Sequence, residues 1–340
     1  MNDECTIIAK SAEKSRFCGS SLVHTLYARP VTIALTGEMG AGKTTFLQGF
    51  ADELGIREPL TSPTYALEQR YRGTRDEIIH IDLYRLSERQ AEELLRGTES
   101  FTGIRCIEWS QRVQHDDLIG AGPVIHVDIQ EDADPALRTI RCVFHDAAFP
   151  SDEQIARWRS DVKLPAHIID HCEAVAGLCD RYAQYLISRG RIVRPAALKT
   201  AALVHDLLRF LDFHLGGHAA ADSHPREHVA LWESLRQRFP GMHHEEACAA
   251  FLRERGYPVI ASIVTPHGLR HAPATRTTIE QQLLYYADKR VMLDRVVSLE
   301  ERFADFAQRY GKGIVSEDHK RWYAEVKDAE RELFPDGLPF

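Results

Sequence analysis

Two groups of side chains in this sequence are spaced to do chemistry. The first lies in "GEMGAGKTT", residues 37–45, where Gly37, Gly42, Lys43 and Thr44 fit G-x-x-x-x-G-K-[ST]. Glycines in that pattern let backbone amides converge on a phosphate. The lysine then reaches the β- and γ-oxygens and the threonine hydroxyl meets Mg²⁺. The expected nucleotide contacts are Glu38, Gly40, Ala41, Gly42, Lys43, Thr44 and Thr45. A magnesium ion held this way calls for a carboxylate at a neighbouring strand tip. Asp82 closes the apolar run of "IIHIDLYR" and fits, with a plain strand-end charge as the alternative. Glu108, in "CIEWS", stands at another strand end. Position alone leaves open whether it orients a water, senses the nucleotide or does neither.

The second group begins in "AALVHDLLRF", residues 201–210, which reads like the inside of a helix except for His205 and Asp206. A buried carboxylate without a partner costs several kcal/mol, so a metal ion or a salt bridge must offset it. His171, His244, His267 and Asp288 extend the pattern to H…HD…H…H…D, with gaps of 34, 39, 23 and 21 residues. Each gap is about one helix and its connection, so each side chain can reach one centre from a different helix. Imidazoles and carboxylates without thiolates suit Mn, Fe, Co or Ni rather than a structural zinc. His243 is an alternative to His244, and His167 reads as a supporting or surface residue. His214, His218, His224 and His228 lie in a loop-like stretch and read as solvated, with a place over the cleft as the alternative. Arg209 and Lys289 read as surface charges that could also meet phosphate.

The elements that must position these groups differ between the halves. Runs at 31–36, 66–71, 78–84, 104–109, 124–129 and 139–144 read as strands. "TTFLQGFADEL" and "SERQAEELLRG" read as helices, the latter starting at Ser87 and stopping at Gly97. Residues 145–163 mix Pro, Ser and charge and read as a junction. Beyond it, helical spacing dominates: Ile168, Cys172, Val175, Cys179, Tyr182 and Leu186 share one stripe before Gly190. Further helices are expected at 195–211, 227–238, 243–255, 258–266, 277–295 and 298–309.

Composition narrows the function. With a formal net charge of -8, the chain is not expected to bind nucleic acid through a broad basic face. No apolar run is long enough to span a bilayer and the N-terminus lacks a signal pattern, so no membrane partner is expected. Seven cysteines without a C-x-x-C pair suggest thiols in a cytoplasmic protein. Twelve of the 17 histidines lie beyond residue 166, which already separates the chemistry of the two halves.

Residues 15–145 resemble the TsaE (YjeE) family, small bacterial ATPases of tRNA threonylcarbamoyladenosine synthesis. The resemblance rests on "GEMGAGKTTFLQGFADELG", "SPTY" (62–65), "HIDLYRL" (80–86) and "IEW" (107–109). It implies that Lys43 and Thr44 bind ATP and Mg²⁺ and that Ser62 to Thr64 form a switch-like loop. Asp82 would serve the metal, and Glu108 and Trp109 nucleotide turnover and base contact. It also implies a TsaB–TsaD partner pair that carries out the transfer, so that tRNA is met only indirectly. Glu38 stands where many members carry Asp.

Residues 164–310 resemble the HD-domain phosphohydrolases, in the branch with extra histidines for two metals. That resemblance gives His171, His205, Asp206 and Asp288 to a first ion. Asp206 would bridge to a second, bound by His244 and His267, and would be catalytic. His244 is preferred over His243 because it stands eight residues before Leu252, as in related sequences.

The expected fold is an α/β P-loop NTPase-like domain over 1–148, a linker over 149–163 and an all-α HD-type helical bundle over 164–340. The expected activities are ATP hydrolysis and hydrolysis of a phosphate ester or anhydride of a small nucleotide. Threonylcarbamoyl-adenylate is a candidate from domain company. The alternatives for the second half are a nucleoside monophosphate phosphatase, a dinucleoside polyphosphate hydrolase and a non-catalytic nucleotide sensor.

Overall fold

A computed structural model of the chain describes residues 3–114, 118, 122–213, 225–311 and 314–339. It divides into two compact units: Met1–Asp146 with Gln184–Ala196, and Ala147–Ala183 with Ala197–Phe340.

The first unit contains β1 (Asp3–Ala9), α1 (Ala12–Val23), β2 (Val31–Thr36), α2 (Lys43–Glu53), β3 (Glu68–Arg72) and β4 (Glu77–Asp82). It continues with α3 (Glu88–Arg96), β5 (Ile104–Glu108), β6 (Val124–Glu131) and β7 (Arg138–Phe144). The strands form one seven-stranded sheet in the order β1-β7-β6-β2-β5-β4-β3. The central strands β6, β2, β5 and β4 run parallel, β3 and β7 pair antiparallel with β4 and β6, and β1 pairs antiparallel with β7. Strand β2, "VTIALT", is buried on both faces, as a strand covered on both sides must be. In register, Asp82 pairs with Glu108 and Leu35 also pairs with Glu108. Both carboxylates therefore stand at the carboxyl ends of parallel strands, where ligands of such sheets bind.

Two elements here escape the sequence reading. β1 buries Asp3, Cys5, Ile7 and Ala9, a weakly apolar set with little alternation signal. α1 carries few strong apolar residues and is set by its cap, the Ser11 hydroxyl accepting from the Lys14 amide at 3.2 Å. The α1–α2 crossing depends on two glycines. A Cβ on Gly19 would lie 1.9 Å from the Phe46 carbonyl oxygen, and one on Gly49 would lie 1.8 Å from that of Arg16. Neither backbone can yield without separating the helices. Gly19→Ala and Gly49→Ala are each expected to cost about 3 kcal/mol or more. A fall in the urea midpoint of the unfolding transition that involves the first unit checks this; an unchanged midpoint refutes it.

The second unit contains α4 (Asp152–Asp161), most of α5 (Ala166–Ser188) and of α6 (Pro195–Val204), α7 (Arg226–Arg238), α8 (His244–Glu254) and α9 (Pro258–Val264). α10 (Ile279–Arg290), the short hairpin β8 (Val291–Met292) and β9 (Arg295–Val296), α11 (Leu299–Gly311) and α12 (Glu317–Leu333) follow. The striped residues of α5 are all buried.

Several expectations need correction. The stretch 149–163, expected as a linker, holds α4. Ser151 caps it by accepting from the Gln154 amide, and Ile155 and Trp158 are buried, with Trp158 edge-on to Phe251 and Tyr257. The helix expected at 277–295 stops at Arg290 because Leu293 turns left-handed (φ 58°) and folds the chain into the hairpin. α12 was hidden by its charge. It starts from a capping box of Ser316 and His319 and buries only His319, Val326 and Leu333. His214, His218 and His224 lie outside the described residues.

All seven cysteines are buried. Burial pushes the Cys18 thiol up to about 12 and raises those of Cys106, Cys142, Cys172, Cys179 and Cys248 as well. Among the described residues, no helix is long and apolar enough to cross a membrane.

Candidate functional sites

The phosphate loop joins β2 to α2. Gly42 precedes the helix at φ 105° and Gly37 sits at φ 140°, where a Cβ would also meet the Ile129 carbonyl oxygen at 2.3 Å. Both positions need glycine. Lys43 is buried (4% exposed) and its Nζ donates to the carbonyl oxygens of Gly37 and Glu38, each at 2.9 Å. It also lies 4.0 Å over the Trp109 ring. Burial lowers the Lys43 pKa, against the pull of Glu108, Asp82 and Glu38. The Glu38 side chain itself is exposed.

The strand-end carboxylates take up the rest of this site. The Thr44 hydroxyl donates to Glu108 Oε1 at 2.8 Å. Asp82 Oδ2 accepts from the hydroxyls of Ser62 (2.8 Å) and Thr64 (2.6 Å), tying the expected switch-like loop to the expected magnesium carboxylate. Asp82 Oδ1 accepts from the Tyr84 amide at 2.9 Å. Gly40, Thr45 and Trp109 border the same cavity of about 430 Å³, while Ala41 is packed beneath the loop. One participant was not anticipated: buried His80 places Nε2 3.0 Å from Glu108 Oε1, the oxygen that Thr44 also bonds. Its position two residues before Asp82 in the strand was the available signal.

The second site corrects the reading of 201–210 as continuous helix. α6 ends at Val204, and His205 and Asp206 fall in the turns beyond it. His205 Nδ1–H donates to the Ala202 carbonyl at 2.7 Å, competing for a helix acceptor. The following amides bond at short range, Leu207 to Val204 and Arg209 to Asp206.

His171 and His267 repeat the His205 arrangement. Their Nδ1 atoms lie 2.9 Å from the Leu293 carbonyl and 2.6 Å from the Val264 carbonyl. A proton on Nδ1 leaves the lone pair on Nε2, the tautomer that metal-binding histidines adopt when a carbonyl orients them. Those Nε2 atoms converge on two carboxylates. His171 Nε2 is 2.9 Å and His205 Nε2 is 3.8 Å from Asp288 Oδ1. His205 Nε2 is 3.9 Å from Asp206 Oδ2, and His267 Nε2 is 3.6 Å from Asp206 Oδ1.

His244 completes the cluster, with Nε2 3.0 Å from Asp206 Oδ1 and 3.2 Å from His267 Nε2. The six side chains expected from the spacing are thus brought to one place. His243 instead lies half exposed against Arg270 and Asp212. His167 borders the cavity mouth, and His228 packs near Trp232, outside the cluster.

The donor set fits a divalent cation. His205 Nε2 is fully buried and makes no hydrogen bond, an expensive state for a polar atom unless a cation meets its lone pair. Burial lowers the His205 pKa to about 4, keeping the ring neutral. Burial would raise the carboxyls of Asp206 and Asp288. Instead His205 and Arg209, and Lys289 and His171, hold them well below the usual range. The candidate ligand atoms of His171, His205 and Asp288, and those of His205, Asp206 and His267, each lie within 4.8 Å of one another.

Asp212 and Glu245 were missed. His244 Nδ1 lies 2.6 Å from Asp212 Oδ2 and 3.1 Å from Glu245 Oε2. Arg209 and Lys289 are not surface charges. Arg209 lines the cavity 2.9 Å from His244 Nε2, and Lys289 is buried against Asp288 with Nζ donating to the His267 carbonyl at 3.0 Å.

Comparison with known proteins separates the two units. A family profile described as "Threonylcarbamoyl adenosine biosynthesis protein TsaE" matches residues 9–140, and one described as "HD domain" matches residues 168–293. The tRNA threonylcarbamoyladenosine biosynthesis protein TsaE of a Nostoc species is 40% identical over 114 residues, 32% of this chain and 70% of that protein. The proteins of the same name from Treponema pallidum and Aquifex aeolicus are 37% and 33% identical, over 78% and 82% of their lengths and 31% and 33% of this chain. A crystal structure of Bacillus subtilis YdiB overlaps 42% of this chain and 87% of its own, at 22% identity and a TM-score of 0.33.

Proposed function

From the premise that this chain belongs to the TsaE family, with an HD domain following in the same chain, we propose a cytoplasmic bifunctional hydrolase. The first domain, residues 1–148, hydrolyses ATP with Mg²⁺ and serves tRNA threonylcarbamoyladenosine synthesis beside a TsaB–TsaD pair, meeting tRNA only through them. The second, the unit of Ala147–Ala183 with Ala197–Phe340, hydrolyses a phosphate ester or anhydride of a small nucleotide, threonylcarbamoyl-adenylate being the candidate that the company of the two domains suggests.

In the first domain Lys43, now bonded to two backbone carbonyls, would meet the phosphate oxygens of bound ATP, and Thr44 and Asp82 would hold the magnesium. Glu108, already bonded by Thr44 and His80, orients the attacking water, and Trp109 flanks the base.

One observation carries the second reading: the unpartnered, buried Nε2 of His205 between Asp206 and Asp288. His171, His205, Asp206 and Asp288 would hold one divalent ion, and Asp206, His244 and His267 a second, drawn from Mn, Fe, Co or Ni. Such ions supply the Lewis acidity that phosphoryl transfer to water needs. The chain's own part is to hold the ligands by backbone carbonyls and by Asp212, and to set Arg209 and Lys289 near the phosphoryl charge. A water oxygen bonds to phosphorus, the bond from phosphorus to the leaving oxygen breaks, and that oxygen takes up a proton.

Metal analysis of the purified chain is expected to find two transition-metal ions, removed by chelation together with the activity and restored by Mn²⁺. Threonylcarbamoyl-adenylate, AMP and diadenosine tetraphosphate are then compared with His205→Ala as control. Product from the first supports the preferred substrate, and product only from another replaces it. Metal-loaded protein that turns over none of them is a sensor, and the hydrolase reading fails.

A further inference from the structure

The HD match ends at residue 293, but the cavity in front of the ligand cluster extends beyond it. That cavity has a volume of about 540 Å³, and its far side is built by α11 and α12. Arg302, Asp305, Phe306 and Arg309 line it from α11, and His319 and Trp322 from α12. A phosphoryl group and two ions would leave most of such a volume unfilled, whereas pockets of this size enclose whole small molecules.

The chemistry of the wall is specific. Phe306 and Trp322 are half-buried, so aromatic surface is offered to the cavity rather than sealed in a core. Both are braced. The Arg302 guanidinium lies 4.2 Å over the Phe306 ring, and His319, bonded to the Ser316 hydroxyl at 2.9 Å, stands edge-on to Trp322 at 5.7 Å. Asp305 is held between Arg302 (3.3 Å) and Arg309 (2.7 Å), leaving cationic groups beside the aromatic surface. Braced aromatic surface with arginines at its edge is how proteins hold a base without reading its sequence.

We infer that the α11–α12 wall binds the nucleobase of the substrate, with Trp322 as the stacking residue. The second unit thereby favours phosphates that carry a nucleoside over those that do not. This rests on the hydrolase reading and adds the surface that would hold the base. The base lies on α11 and α12 while the phosphoryl group lies at the His and Asp cluster.

The test compares kcat/KM for AMP with that for ribose 5-phosphate, which lacks only the base, on the same preparations of metal-loaded full chain. The ratio does not depend on the folded fraction. In Trp322→Ala it is expected to fall roughly 10- to 100-fold, carried by KM for AMP, and Trp322→Phe is expected to recover most of it. An unchanged ratio in Trp322→Ala overturns the inference. If the parent chain hydrolyses neither substrate, a binding readout that needs no turnover replaces the ratio. The wall is then judged by fluorescence titration with AMP, where quenching present in the parent and absent in Trp322→Ala supports it and identical curves refute it.

Discussion

Replacing Asp206 by asparagine is expected to cut phosphate release by the second unit by roughly 10³-fold or more, and to empty at least part of its metal content. The change keeps the shape of a side chain that is only 8% exposed, so packing is preserved and charge alone is removed. Its two oxygens face three imidazoles: Oδ1 lies near His244 and His267, and Oδ2 near His205. No other carboxylate of the cluster is shared among so many of its histidines, so the loss acts on both proposed ion positions at once. An amide would also turn an N–H toward a lone pair or leave it buried without an acceptor. Metal content by mass spectrometry and steady-state phosphate release check this together. Full metal content with an undiminished rate would remove Asp206 from the site.

The second large effect belongs to Lys43. Lys43→Ala is expected to lower ATP hydrolysis roughly 10²- to 10³-fold. Its ammonium is enclosed by the carbonyls of Gly37 and Glu38 and by the Trp109 ring. That cage suits a compact point charge with three donors. The broad, planar guanidinium of Lys43→Arg is therefore expected to restore less than about a tenth of the lost rate. Phosphate release and binding of a fluorescent ATP analogue report the two variants. Recovery by arginine would mean that the loop asks only for positive charge.

Much of both sites could be read along the chain, because their residues are confined by local geometry. A glycine that must adopt positive φ, a lysine at a helix start and a histidine one helix away from the next each leave a mark in spacing. The rest depended on where the backbone turns. His205 and Asp206 look like helix interior because their neighbours are apolar. In the fold the ring bonds the Ala202 carbonyl and short-range backbone bonds take over just where the helix ends. Asp212 and Glu245 left no pattern of their own, since they act on His244 through space. β1 was lost because its inward residues include an aspartate and a cysteine. α12 was lost because a helix that buries three residues shows little periodicity.

The buried cysteines have a practical consequence. Electrophilic dyes and mild oxidants react with exposed thiolates, and burial denies all seven native sulfurs exposure and raises the thiol pKa of six of them. A single cysteine introduced on the surface would therefore be the fastest-reacting thiol in the folded chain. Pairs of such positions, one in each unit, would allow distance measurements by fluorescence transfer or spin labelling without first stripping the native residues. The apolar packing around those sulfurs makes the wild-type sequence its own near-silent background.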